Sequence, residues 1–508
     1  MLARIHSLTI WGIDGYPVDV EVDISYGMPS VSVVGLPDQA VKESRDRIKP
    51  AIKNSGFEFP SNSKIVINLA PADIKKEGSY FDLPIAVGIL AAKGLIPFER
   101  LAEFSLVGEL ALDGTVRPVK GILPIAIRLS ELKKKKLIVP GENALEASII
   151  REIEVYPVNN LRECMGFLAG KREIEPVSCD VKNLFESGRK CSLDFRDVKG
   201  QAYAKRAIEV AVAGAHNIIM VGSPGAGKTM LASRIPSILP ALTLQEALEI
   251  TRVHSVAGIL KEGIVTERPF RSPHHTISDI ALIGGGNIPR PGEVSLAHNG
   301  VLFLDELPEF HRDVLEVLRQ PLEDGRVSIS RAKGRTAFPA RFLMAASMNP
   351  CYCGWYGDNA RQCHCTLAQI LKYRKKVSGP LLDRIDIHIE VPSLPAGLML
   401  GEREEESSEA IRQRVEKARE IQQERFEGTG IFFNGHMTTS QIKRYCALSE
   451  ECKQLIRTAL DRMQLSARAY DKIRKVARTI ADLDQSDTIQ PHHLAEAVQY
   501  RSLDRDIN

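Results

Sequence analysis

Three short apolar runs, Ile218–Val221, Gly300–Leu304 and Arg341–Met348, lack the alternation of a half-exposed strand and read as strands buried on both faces. Upstream the pattern changes. Val18–Asp23 and Ser30–Val34 alternate apolar with polar residues, Lys64–Leu69 is a further strand, and Asp38–Lys49 repeats with helical spacing. Residues 168–193 are polar, with scattered Gly, Pro and Ser and little periodicity, which marks a linker with room for one short helix. A helical pattern runs through Ala213 before the first apolar run, and helical periodicity dominates from Glu402 to Asn508, with one helix over Ser466–Asp482. The expected organisation is an N-terminal domain of mixed strands and helices over 1–167, a linker over 168–193, an α/β core over 194–395 and a helical domain over 396–508.

Composition adds limits. A chain of 508 residues exceeds what one core can serve, and 44% hydrophobic with 26% charged residues is ordinary for a soluble globular protein. No run of about 18 uncharged apolar residues occurs, and the N-terminus lacks an apolar signal core, so a cytoplasmic place is expected. In that reducing compartment nine cysteines argue against a disulfide framework. The net charge is only +3, so any affinity for nucleic acid must come from local patches.

The first apolar run leads directly into Gly222-Ser223-Pro224-Gly225-Ala226-Gly227-Lys228-Thr229, followed by a helical segment from Met230. This order of strand, glycine loop, Lys-Thr and helix is that of a phosphate-binding P-loop. Glycines 222, 225 and 227 let backbone N–H groups close around phosphate oxygens, Lys228 places a cation on the β/γ-phosphates, and the Thr229 hydroxyl is a Mg²⁺ ligand. The second run ends in Asp305 and Glu306. Asp305 suits a Mg²⁺ ligand, and Glu306 suits a base or orienting group for water. The third ends at Asn349. Arg384, beside Asp383, is of the kind that can cross a subunit interface to meet a γ-phosphoryl group. Between the first and second runs, Phe270 to Ser295 is rich in Gly and Pro and reads as a protruding loop or hairpin outside the core. Residues 326–341 alternate like two strands around Lys333-Gly334 and include Arg331, Lys333 and Arg335 without an acid, a local anion-binding surface.

Cys351, Cys353, Cys363 and Cys365 cluster within fifteen residues. A structural Zn²⁺ site, with His364 as spare ligand, and four reduced thiols without metal are the two readings.

Two family resemblances extend the picture. Lys75–Leu90 and Val107–Ile122 resemble the proteolytic domain of Lon-type proteases, implying an α+β domain of the ribosomal S5 domain 2-like kind. The family's catalytic Ser and Lys positions fall on Tyr80 and Leu123, and Ser79 and Lys120 lie off register, so a fold without peptidase activity is expected. Ser272-Pro-His-His-Thr-Ile-Ser, Ala297–Phe310 and Ser378–Asp386 resemble the YifB/ComM family of magnesium-chelatase-like AAA+ ATPases. That resemblance implies a P-loop AAA+ core with a helical lid, ATP and Mg²⁺, and a homo-oligomeric, hexameric ring. It also implies a DNA helicase driving branch migration in homologous recombination during natural transformation. By it Asn349 orients the attacking water, Arg468 contacts nucleotide from the lid, Val198 and Gln201 lie by the adenine, and Lys333 and Arg335 meet DNA in the pore. Arg474 and Arg478 are expected on the solvated face of the Arg468 helix. The alternatives are a chelatase-type subunit remodelling a protein partner and an ATP-dependent protease, the latter opposed by Tyr80 and Leu123.

Overall fold

The computed structural model describes residues 2–72, 75, 76, 78–180, 184, 193–260, 263–286, 289–331, 334–358, 361–394, 405–463, 466–501 and 503. The N-terminal strands are β1 (Leu2–Trp11), β2 (Asp14–Ser25), β3 (Ser30–Val34), β4 (Lys64–Ala70), β5 (Phe104–Leu106), β6 (Glu109–Leu110), β7 (Val116–Arg117), β8 (Lys136–Pro140) and β9 (Glu154–Val158). Seven of them form a mixed sheet in the order β3-β4-β2-β1-β5-β8-β9, while β6 and β7 make a separate short ladder. The inward positions of β2 (Val18, Val20, Val22) and β4 (Ile65, Ile67, Leu69) are almost fully buried. The fully buried helix Asp82–Ala92 packs on β1 and β2. Helix Gln39–Asn54 starts where the Asp38 carboxylate accepts the Val41 N–H at 2.8 Å.

The segment expected to be a linker is packed over its first part. Val177 pairs with Val155 of β9, and Cys179 is buried in an apolar cluster with Leu123, Leu242, Ala247 and Ile250. Residues 181–183 and 185–192 lie outside the described residues. That cluster joins helix Ile122–Glu131 of the N-terminal region to helix Leu244–Ala257 of the core. Leu123 is thus a wholly buried contact between the two regions. Beside it the Glu146 carboxylate accepts from the Leu123 N–H at 2.9 Å and from the Ser255 hydroxyl.

Burial pushes the Glu146 carboxyl up to about 7 from an ordinary 4.5, against the lowering effect of those two donors. Folded protein therefore keeps a proton that unfolded chain releases as pH rises from about 4.5 to about 7, and stability falls across that window by up to about 3 kcal/mol. We expect Glu146→Gln to gain on wild type in thermal melts as pH goes from 5.5 to 8. An equal difference at both pH values would refute this.

The core sheet is wholly parallel. Its strands β10 (Ile218–Val221), β11 (Phe270–Arg271), β14 (Val301–Leu304), β17 (Leu343–Met348) and β18 (Ile387–Glu390) lie in the order β11-β14-β17-β10-β18. The edge strand β11 corrects the expectation that Phe270–Ser295 stands outside the core, because Phe270 and Arg271 pair with Val301 and Leu302. Two paired residues are too few to show periodicity. Further along, β12 (Gly284–Gly285) and β13 (Arg290–Pro291) do form a hairpin, as do β15 (Arg326–Arg331) and β16 (Gly334–Pro339).

The helices of residues 408–499 share one apolar core with the parallel sheet. Helix Ala467–Leu483 is seated by polar contacts. Lys472 Nζ donates to the Ile385 carbonyl at 3.0 Å and lies 3.3 Å from Asp386, and His216 Nε2 is 2.8 Å from the Thr479 hydroxyl. Burial works against the charge on Asp386, but Lys472 and then His216 hold its carboxyl well below the usual range. Arg474 and Arg478 correct the expectation of a solvated face. Arg474 donates to the carbonyls of Ile442 and Cys446, and Arg478 to Asp482 and to the carbonyl of Asp487. Both are buried, because carbonyls left open at helix ends and loops need donors inside the fold.

Candidate nucleotide site

Strand β17 lies between β10 and β14, with Val221 opposite Met348 and Leu304 opposite Ala346, so the loops following these three parallel strands open side by side. In open parallel sheets this carboxyl edge is where ligands sit. The loop after β10 turns through Gly225 and Gly227 at φ of +81° and +89°, a conformation that disfavours side chains, and a Cβ at Gly222 would lie 2.2 Å from the Val391 carbonyl. Helix Lys228–Ile238 begins immediately after, directing its free N–H groups at the loop.

Lys228, expected on phosphates, is buried and donates to the carbonyls of Gly222 (2.7 Å) and Ser223 (3.0 Å) and to Asn349 Oδ1 (3.2 Å). Burial lowers its pKa, while Asp305 and Glu306 push the other way. The Thr229 hydroxyl donates to Asp305 Oδ2 at 2.8 Å, so the two oxygens expected on Mg²⁺ are already adjacent. Asp305 also accepts from the Ser347 hydroxyl. Glu306 adopts φ +54°, in the left-handed region, and its N–H donates to Asp305 Oδ1 (3.1 Å) and the Ser347 oxygen (3.3 Å). Its carboxylate is exposed and 3.7 Å from His275 Nδ1.

Ser347 and His275 are contributions that residue patterns had not marked. Ser347 lies on β17 two residues before Asn349, which follows the end of that strand, and a polar residue within a buried apolar run was the available signal. His275 reaches the site because β11 carries its segment along the edge of the sheet. Gln201, expected by the adenine, is buried and bridges the Ala226 carbonyl (3.3 Å) and the Pro392 carbonyl (2.8 Å); Val198 is buried nearby in sequence. Ser223 is buried, whereas Pro224 in the loop and Met230 in the helix that follows are exposed.

Arg384 and Arg468 make contacts separate from these. Arg384 pairs with Glu323 and donates to the Pro380 carbonyl, leaving its side chain 11% exposed. Arg468 is open to solvent, 3.7 Å from the adjoining Asp383.

The four thiols converge. Cys351, Cys353, Cys363 and Cys365 present sulfurs within 4.8 Å of one another, with Sγ pairs at 3.4, 3.7 and 3.5 Å. A tetrahedral zinc with Zn–S of about 2.3 Å needs sulfurs about 3.8 Å apart, so the donor set fits. The Trp355 N–H and, less strongly, the His364 N–H draw the Cys353 thiol down to about 6, favouring thiolate. His364 itself is exposed and outside the group of four. This loop rests on the phosphate loop: Asp358 accepts from the Ser223 and Ser393 hydroxyls, and a Cβ on Gly354 would meet Pro224 at 2.6 Å.

The basic hairpin is formed, with Ser330 opposite Arg335 and Arg331 opposite Gly334. Lys333 and the side chains of Arg331 and Arg335 lie outside the described residues. Of the two off-register residues, the Ser79 hydroxyl donates to Glu109 and Lys120 is exposed beside Gly258. Among the described residues no helix is long and apolar enough to cross a membrane.

Residues 194–399 match the family described as magnesium chelatase, subunit ChlI; residues 20–143 match subunit ChlI of Mg-chelatase, and residues 405–501 its C-terminal family. The chain is 45% identical to the competence protein ComM of Haemophilus influenzae, covering 99% of this chain and 98% of that one. It is 44% identical to the uncharacterized protein YifB of Escherichia coli over the same shares. A partial similarity, 29% identity over 32% of each chain, connects it to Lon protease 2 of Bacillus subtilis.

Proposed function

Since the chain belongs to the YifB/ComM family of magnesium-chelatase-like proteins, we propose that it is an ATP-driven AAA+ ring motor that moves DNA branches. The observation that carries this reading is the convergence of Lys228, Thr229, Asp305 and Asn349 at the ends of three adjacent parallel strands. Arriving ATP would draw Lys228 from Asn349 and its own loop carbonyls onto the β/γ-phosphate oxygens. Mg²⁺ held by Thr229 and Asp305 would neutralise developing charge on those phosphates. Freed from Lys228, the Asn349 amide would orient water, and Glu306 would accept its proton.

Arg384 would serve the nucleotide of a neighbouring subunit, and Arg468, open to solvent near the start of its helix, would contact nucleotide from the lid. Nucleotide shared between neighbours supports a closed ring, with six subunits as the proposed count. The C-terminal helices would act as the lid, and the N-terminal region as a Lon-like domain without peptidase chemistry. The β15–β16 hairpin, with Arg331, Lys333 and Arg335, would follow DNA phosphates through the pore. Zinc held by the four cysteines would stiffen the loop against Ser223 and Pro224; elemental analysis of the purified protein tests for it.

The name of the Haemophilus influenzae relative, a competence protein, supports a place in competence, with branch migration during recombination of incoming DNA as the proposed task. ATP-dependent branch migration on a three-stranded DNA substrate tests it, with Lys228→Ala expected to be inactive. The family match to a chelatase subunit supports a second reading, remodelling of a protein partner. ATP turnover that is indifferent to DNA and rises only with a partner would select that reading.

A further inference from the structure

A cleft of about 720 Å³ opens beside the nucleotide site, between the turn Pro308–Arg312 and the helix Leu367–Arg374 with the residues that follow it. Its volume is in the range of sites that enclose small organic groups, and a nucleobase fits easily. Arg312, Lys372, Lys375 and Lys376 line it, with Glu309 as the one carboxylate. Lys376 takes up Glu309 at 3.1 Å. Lys372 and Lys375 are exposed and have no carboxylate partner among the described residues. The cleft is therefore strongly cationic in a chain whose overall charge is only +3.

An aromatic ring completes it. Tyr352, from the four-cysteine loop, lines the cleft and is 49% exposed. Its orientation is fixed by an edge contact to Tyr373, ring centroids 4.9 Å apart, and by Lys376 Nζ at 5.3 Å from its ring. An exposed ring held in place among free cations is the combination that binds an unstacked base together with its phosphates. Duplex DNA offers no free base face there, so the fit is to a single strand.

We propose that this cleft is a second contact for single-stranded DNA, distinct from the β15–β16 hairpin; the proposal rests on the reading of the chain as a DNA motor. The wall Pro308–Arg312 begins two residues after Glu306, and the Tyr352 loop is the one that bears on Ser223. A strand lodged in the cleft therefore touches both segments that flank the nucleotide, and it can raise the turnover of ATP.

The test uses the full chain and a fluorescently labelled oligo(dT), with anisotropy titrations at several salt concentrations. Lys372→Ala combined with Lys375→Ala is expected to weaken binding about tenfold and to flatten the salt dependence by about 1.4, two phosphates at about 0.7 each. Tyr352→Ala should also weaken binding about tenfold while Tyr352→Phe retains it, because the stacking face is what matters. Turnover without DNA should stay as in wild type in all of these, with stimulation by oligo(dT) reduced. Variants that bind as wild type does would overturn the cleft and leave the motor reading standing. Wild type that binds no oligo(dT) at any salt would overturn both. Normal DNA binding with smaller assemblies in sedimentation would make the cleft a contact between copies of the chain, and would also overturn the proposal.

Discussion

Arg384→Ala is expected to slow ATP turnover by a factor on the order of 10³ to 10⁵ while ATP binding changes less than about threefold, the behaviour of an arginine that meets only the transferring phosphoryl group. In the isolated chain Arg384 is held by Glu323 and the Pro380 carbonyl. For it to act, a neighbour's γ-phosphate must replace Glu323 as its partner. Glu323→Gln therefore serves as the control, since it frees the guanidinium without removing it and should keep turnover near wild type. Mixing gives the sharper result. Subunits carrying Arg384→Ala and subunits carrying Lys228→Ala should each be inactive, yet together should recover part of the activity where an intact Lys228 faces an intact Arg384. No recovery at any mixing ratio, with assembly intact, would show that Arg384 does not work across an interface.

Glu306→Gln should bind ATP as tightly as wild type and hydrolyse it about 10² to 10⁴ times more slowly, measured in single turnover beside equilibrium binding. The amide matches the carboxylate in size and leaves the backbone bonds of residue 306 to Asp305 Oδ1 and the Ser347 oxygen in place. It also leaves the strained left-handed backbone at φ +54° undisturbed, which only the surrounding packing maintains. What disappears is a group able to accept a proton from water. Loss of ATP binding in this variant would instead assign Glu306 to holding the metal.

Much of the fold was legible because its physics is local. Ile218–Val221 and Val301–Leu304 are buried on both sides, so every position is apolar and the strand shows itself without any partner. Ser466 caps the helix that follows it, accepting the Ala469 N–H at 3.2 Å, and its sequence announces that start. The hairpin around Lys333-Gly334 was visible from alternation alone, and the loop from Gly222 to Thr229 from its glycines. Arg474 and Arg478 misled for an equally physical reason. Charge predicts a solvated face only when the buried side has no carbonyls to satisfy, and here Ile442, Cys446 and Asp487 supplied them.

By itself the sequence determined the strand-loop-helix units, the residue types able to hold phosphate and magnesium, and the set of four thiols, because each depends on neighbours a few positions away. Tertiary structure alone decided that β17 lies between β10 and β14, and so brought Asn349 to Lys228 across 121 positions and Thr229 to Asp305 across 76. It also decided that His275 meets Glu306, that Asp358 rests on Ser223, and that Arg468 meets Asp383. Contacts of that kind are set by strand order and by which faces must leave water, and those are properties of the whole packed chain.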